Sequence, residues 1–200
     1  MAKTILIAGD SFAAEWPNGK GWPLELTKHN AVNNVAQAGC GEYKILQQIK
    51  KVFDHDPSWQ KNYDCVIVCH TSPSRVHTPK HPVHKQGLHK DCDLIYSDIN
   101  HKFDWFNPRL RTAKNWFWHH YDDDYQKNIY RLLREEINRI ITIPYLAVDN
   151  FSISNQFAVE KHTLDLTDIW PLYRGETNHY TEEGNQIVLK QIVDKLDKIC

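Results

Sequence analysis

Short continuous apolar runs alternate along this chain with segments whose apolar positions recur every three or four residues. Residues 4–9 read Thr-Ile-Leu-Ile-Ala-Gly, a run suited to a strand buried on both faces of a parallel sheet. A helix is expected over about 21–29, where Trp22-Pro23 puts proline in a first turn, and a second strand over 31–37. Residues 42–53 carry Tyr43, Ile45, Leu46, Ile49 and Val52 at helical spacing, and 64–69 read as the third strand. Residues 124–140 form an amphipathic helix with Ile129, Leu132, Leu133, Ile137 and Ile140 on one face. A fourth strand is expected over 141–148, made irregular or edge-like by Pro144, and a short fifth over 162–166. The last helix spans about 181–199, with Val188, Ile192 and Leu196 as its core stripe. Strands alternating with helices imply an α/β fold, a three-layer sandwich around a parallel sheet of about five strands.

One stretch breaks this rhythm. Residues of about 74–121 hold His77, His81, His84 and His89, then Asp104-Trp105-Phe106-Asn107-Pro108, then Trp116-Phe117-Trp118-His119-His120-Tyr121. It reads as an insertion without regular structure, and connections of that size are often functional. Because it follows the third strand, it leaves the sheet at the carboxyl edge, where it is expected to serve as a lid or substrate wall. Its aromatics read first as the insertion's own core or a contact between copies of the chain, and second as a surface for sugar or acyl groups.

Composition narrows the picture. With 200 residues, 41% of them hydrophobic and 24% charged, the chain fits one globular domain over 1–200, and no repeat or linker divides it. A net charge of −1 supplies no basic field for nucleic acid. Five cysteines without regular spacing do not form a disulfide framework. No apolar run approaches the ~20 residues of a membrane span, and the first strand leaves no room for a signal peptide. A cytoplasmic location is the expectation.

The candidate chemistry lies at the two ends. Ser11 follows the first strand through Gly9-Asp10, at the carboxyl edge where open α/β sheets bind ligands. A serine there is a helix N-cap or, given a base, a nucleophile. His179 stands in the polar loop 175–184 before the last helix, with Glu176 three residues earlier. A surface histidine near a helix start is its bland alternative. The histidines of the insertion invite a metal, but Pro79 and Pro82 break any helix there and no cysteine or carboxylate completes a recognisable set. They read as a solvated loop, so neither metal nor cofactor is expected.

Gly9-Asp10-Ser11-Phe12 resembles the first block of the SGNH (GDSL-type) hydrolases, and Glu176-Thr177-Asn178-His179 resembles their last block, Asp-x-x-His. Gly21-Trp22-Pro23-Leu24 and 34–39, Asn-Val-Ala-Gln-Ala-Gly, are similar to the family's first helix and second block. The likeness covers most of the chain outside about 75–120. It implies a flavodoxin-like hydrolase in which Ser11 attacks an ester, His179 is its base and Glu176 orients the imidazole. Gly39 would supply an oxyanion-hole amide beside that of Ser11, with Gly41 competing for the position. Two departures stand out. The third block, Gly-x-Asn-Asp, is absent, and Ser72 or Thr71 falls where its asparagine belongs, although Thr71-Ser72-Pro73 is similar to a Thr-x-Pro-like segment of divergent branches. Glutamate also replaces the usual aspartate, and Asp168 is the substitute orienting acid. The resemblance implies a small-molecule, glycan or lipid ester as substrate. The rival reading is a binding or structural protein on the same scaffold, with the aromatic insertion joining copies into a homo-oligomer.

Overall fold

The structure is a computed structural model, which describes residues 2–16, 20–100, 102, 103, 105–175 and 179–200. Strands β1 (Thr4–Gly9), β2 (Ala31–Asn34), β3 (Cys65–His70), β4 (Tyr145–Asp149) and β5 (Thr163–Asp165) form one sheet in the order β2-β1-β3-β4-β5, with every pair parallel. The two-residue period of a strand sends alternate side chains to opposite faces. On one face Ile5, Ile7, Cys65, Ile67, Leu146 and Val148 pack against α1 (Trp22–Thr27) and α8 (Glu182–Ile199). On the other, Leu6, Ala8, Val66, Val68 and Ala147 meet Ile45, Leu46 and Ile49 of α2 (Glu42–His55) and Ile137 of α5 (Asp123–Ile140). Residues of β1, β3 and β4 are therefore apolar at odd and even positions alike, as the sequence runs require. The result is an α/β fold with a parallel five-stranded central sheet between helical layers.

Two strands are shorter than their apolar runs. β2 stops at Asn34, whose side-chain oxygen accepts the Ala36 amide and turns the chain, although Val35 and Gln37 still donate to Ile7 and Gly9 of β1. β4 begins only at Tyr145, because Pro144 has no N–H to pair. Ahead of it Gln60 substitutes for a strand neighbour, its Oε1 accepting the amides of Thr142 and Ile143.

The insertion is not structureless. It contains α3 (Tyr96–Asn100) and α4 (Pro108–His120), the latter started by Asn107, whose side chain accepts the Leu110 amide, and by proline in the first turn. Leu94, Ile99 and Leu110, with Phe117 and Tyr96 against them, make a small core separate from the two faces of the sheet. The other aromatics divide differently. Phe103, Trp105, Phe106 and Trp118 are exposed, so they are not the core of the insertion.

Candidate functional site

In a parallel sheet ordered 2-1-3-4-5, the connections from β1 and β3 leave in opposite directions, and a crevice opens between their carboxyl ends. Ser11 follows β1, and Thr71 and Ser72 follow β3, so the topology brings Ser11 and Ser72 to that crevice, with Thr71 buried beside it. Gly9 makes the turn possible. Its φ of +151° favours glycine, and a Cβ there would lie 2.8 Å from both Cβ and the carbonyl oxygen of Cys69. The Gln48 side chain clamps the same residue, accepting the Gly9 amide at 2.8 Å and donating to its carbonyl at 3.1 Å.

Asp10, not Ser11, caps the turn that follows. Its Oδ1 accepts the Phe12 amide at 3.0 Å and its carbonyl accepts the amides of Ala13 and Ala14. The capping role open to the serine is thus filled by its neighbour. Ser11 is 6% exposed and lines a cavity of about 350 Å³ together with Gly39, Ser72 and His179. A second cavity of about 230 Å³ also has Ser11 and His179 in its wall. Asp10 itself is fully buried. Loss of hydration raises its carboxyl to about 6, against the lowering effects of the Phe12 amide, the Arg75 cation and the Thr71 hydroxyl.

His179 arrives from the opposite end of the chain. An antiparallel bridge joins Arg174 to Tyr180, and the Gly175 amide donates to the His179 carbonyl. Thr181 then caps α8, its hydroxyl accepting the Gly184 amide at 3.1 Å. The imidazole packs against Trp16, ring centres 4.1 Å apart, and against Phe12 at 5.4 Å. Trp16 in turn donates its indole N–H to the Ser11 carbonyl at 3.2 Å, tying the histidine's support to the serine's own residue. Ser11 and His179 share both cavity walls, and no hydrogen bond joins their side chains in this structure. Glu176 lies outside the described residues. Asp168 is exposed at the start of α7 (Ile169–Leu172) and does not line either cavity.

The paired alternatives differ in their surroundings. Gly39, with φ +74°, lines the cavity, whereas the Gly41 amide donates to buried Asp93 at 2.7 Å and is engaged. Among the described residues, neither the Ser11 nor the Gly39 amide donates to a backbone or side-chain acceptor. Ser72 is in the cavity wall, while Thr71 is wholly buried beside Asp10 and its amide approaches Glu42 at 3.5 Å.

The insertion supplies the far wall. His84, His89, Cys92 and Asp98 line the 350 Å³ cavity, and Arg75 reaches it from the start of the same connection. The anchor is Asp93, which is fully buried. It accepts the amides of Gly41 and Thr78 at 2.7 and 2.9 Å and pairs with Lys44 of α2 at 2.9 Å. The wall role expected of this segment thus belongs to its histidine-rich half, not its tryptophan-rich half. Of the four histidines expected in a solvated loop, His77 is exposed and His84 and His89 are half-buried, but His81 departs from that expectation. His81 is 3% exposed, and Cys92 completes a cluster with His81 and His84. Cys92 is eight residues from the nearest of the two, too far for a local spacing pattern. Arg75 also escapes sequence reading, since nothing distinguishes it from a solvated arginine.

Fold and crevice define an α/β protein with a ligand-sized cleft at the carboxyl edge of a parallel sheet. No protein-family model and no curated protein sequence matches the chain. Among solved structures, it is similar to a mutant of Axe2, an acetyl-xylooligosaccharide esterase from Geobacillus Stearmophilus. That likeness has 14% identity and a TM-score of 0.47, and covers 97% of this chain and 94% of that one. Among the described residues, no helix is long and apolar enough to cross a membrane.

Proposed function

We propose that this protein is a serine acyl hydrolase acting on an ester, with an O-acetyl carbohydrate or a lipid ester as the substrate class. One observation carries the reading: Ser11, Gly39, Ser72 and His179, from four separate segments, line a single cavity at the switch point of the sheet. In this mechanism Ser11 Oγ attacks the ester carbonyl while His179 takes its proton. The carbonyl π bond becomes an oxyanion, which accepts hydrogen bonds from the Ser11 and Gly39 amides and the Ser72 hydroxyl. Collapse of that intermediate expels the alcohol, which leaves with the proton from His179. Water then attacks the acyl-enzyme with His179 again as base, releasing the acid and regenerating Ser11. Glu176 holds the imidazolium. Each preorganised oxyanion donor is worth ~3 kcal/mol of barrier, so two amides and a hydroxyl suffice for substantial acceleration.

The rival reading, a non-catalytic binding protein, draws on the absence of a Ser11–His179 hydrogen bond. Such bonds are often long in ligand-free enzymes and tighten with substrate. A fluorophosphonate probe and p-nitrophenyl acetate distinguish the two. The hydrolase reading requires labelling of Ser11 and burst kinetics, with Ser11→Ala lowering turnover by about 10³-fold or more at unchanged thermal stability. Absence of labelling in folded protein, or full activity in Ser11→Ala, overturns it.

A further inference from the structure

The connection between β3 and α3 carries donor atoms that ester hydrolysis does not use. His81, His84 and Cys92 each place one ligand atom within 4.8 Å of the other two. His81 is buried, and its Nε2 has no hydrogen-bond partner, which is an unsatisfied polar atom in the interior of this segment. Its Nδ1 accepts the amides of Val83 and His84 at 3.1 and 3.0 Å. The His84 ring lies 4.6 Å from that of His81 and 5.5 Å from that of His89. Cys92 is 1% exposed and is one of the chain's free cysteines.

We propose that His81, His84 and Cys92 form a binding site for a divalent transition-metal ion, with zinc the best match to two imidazoles and a thiolate. Two nitrogens and one sulfur suit a borderline ion, whereas hard ions such as magnesium or calcium take oxygen ligands. On binding, the Cys92 thiol releases its proton to solvent as the sulfur–metal bond forms. His81 ligates through the unpartnered Nε2, whose proton passes by way of solvent to Nδ1 as the two amide contacts of Nδ1 are given up. Two neutral hydrogen bonds are weak beside ligation to an ion that also holds a thiolate. The fourth position falls to water or to His89.

The site sits where it would tighten the cavity wall. Cys92 Cβ lies 2.6 Å from the point a Gly39 Cβ would occupy, and the Asp93 amide donates to the Gly39 carbonyl at 2.9 Å. An ion on Cys92 therefore clamps the 81–92 loop against the Gly39 turn. The inference does not depend on Ser11 being catalytic.

Untagged protein is incubated with zinc sulfate, desalted and assayed by plasma mass spectrometry, then loaded with cobalt(II) for absorption spectroscopy. The wild type should retain about one zinc per chain, falling at least about fivefold in Cys92→Ser and in His84→Ala. The cobalt form should show a thiolate-to-cobalt charge-transfer band that Cys92→Ser abolishes. Equal zinc in wild type and both variants, or a wild-type cobalt spectrum without the thiolate band, overturns the site. The cobalt measurement stands even if a variant folds poorly, and neither readout involves ester hydrolysis.

Discussion

The two sides of the 350 Å³ cavity are built by different physics. The floor, at the ends of β1 and β3, is held by the sheet ladder and by apolar side chains of zero exposure on both faces. The wall, from Arg75 to Asp98, has a small core of its own, and one buried carboxylate, Asp93, anchors it to the start of α2. On the floor, position is a by-product of hydrophobic burial spread over many residues, each worth roughly 1.5–3 kcal/mol. On the wall it depends on a few polar contacts converging on one side chain. A fold can thus fix one side of a pocket rigidly while leaving the opposite side to a separable set of interactions.

The sharpest way to break the floor is Gly9→Ala. The added Cβ would meet Cys69 backbone at 2.8 Å in a φ region that alanine avoids, and the neighbour is a central strand with no room to move. A loss of about 4 kcal/mol in urea unfolding is expected, with cooperative loss of the whole sheet. Asp93→Ala tests the wall. It strands the Gly41 and Thr78 amides and leaves the Lys44 ammonium only the Thr78 and Asp91 carbonyls, at a cost of about 3 kcal/mol. Here the damage should be local. Hydrogen exchange should accelerate across 76–95 while the amides of β1 and β3 keep their protection. Uniform acceleration over both regions would show that floor and wall are one cooperative unit.

The same division decided what the sequence revealed. The sheet and its helices were legible because burial on both faces writes continuous apolar runs, and helix–sheet packing writes a 3.6-residue period. The turn at Gly9 was legible from a glycine closing an apolar run. Long-range polar pairing was not. Asp93 meeting Lys44, or Arg134 buried with Asp149 and Glu160 at 2.7–2.9 Å, leaves no local pattern, since each partner alone looks like a surface charge. His70, held between Glu42 at 2.6 Å and Tyr145 at 2.7 Å behind the Thr71 segment, is hidden for the same reason. Asn107-Pro108 announces the start of α4, but the clustered aromatics that follow hide its helical period.

Asp10 is where floor and wall meet electrostatically, because Arg75 of the wall eases the ionisation of a carboxyl that burial in the floor opposes. Its pKa is raised from 3.8 to about 6, so the unfolded chain ionises Asp10 first as pH rises. The protonated group fits the fold without penalty below about pH 4, and stability is lost progressively as pH climbs to about 6, after which the loss is constant. The ceiling on that loss is about 3 kcal/mol, and about 2 kcal/mol is expected once the surroundings relax. Asp10→Asn keeps an oxygen for the Phe12 amide and cannot ionise. Its stability relative to wild type should therefore rise between pH 4 and pH 6 and stay flat on either side. Replacing Arg75 by Gln should move the upper end of that window to higher pH. A variant difference that is constant from pH 4 to pH 8 would mean that Asp10 ionises as freely inside the fold as in the unfolded chain. The electrostatic link between the two sides of the cavity would then fall with it.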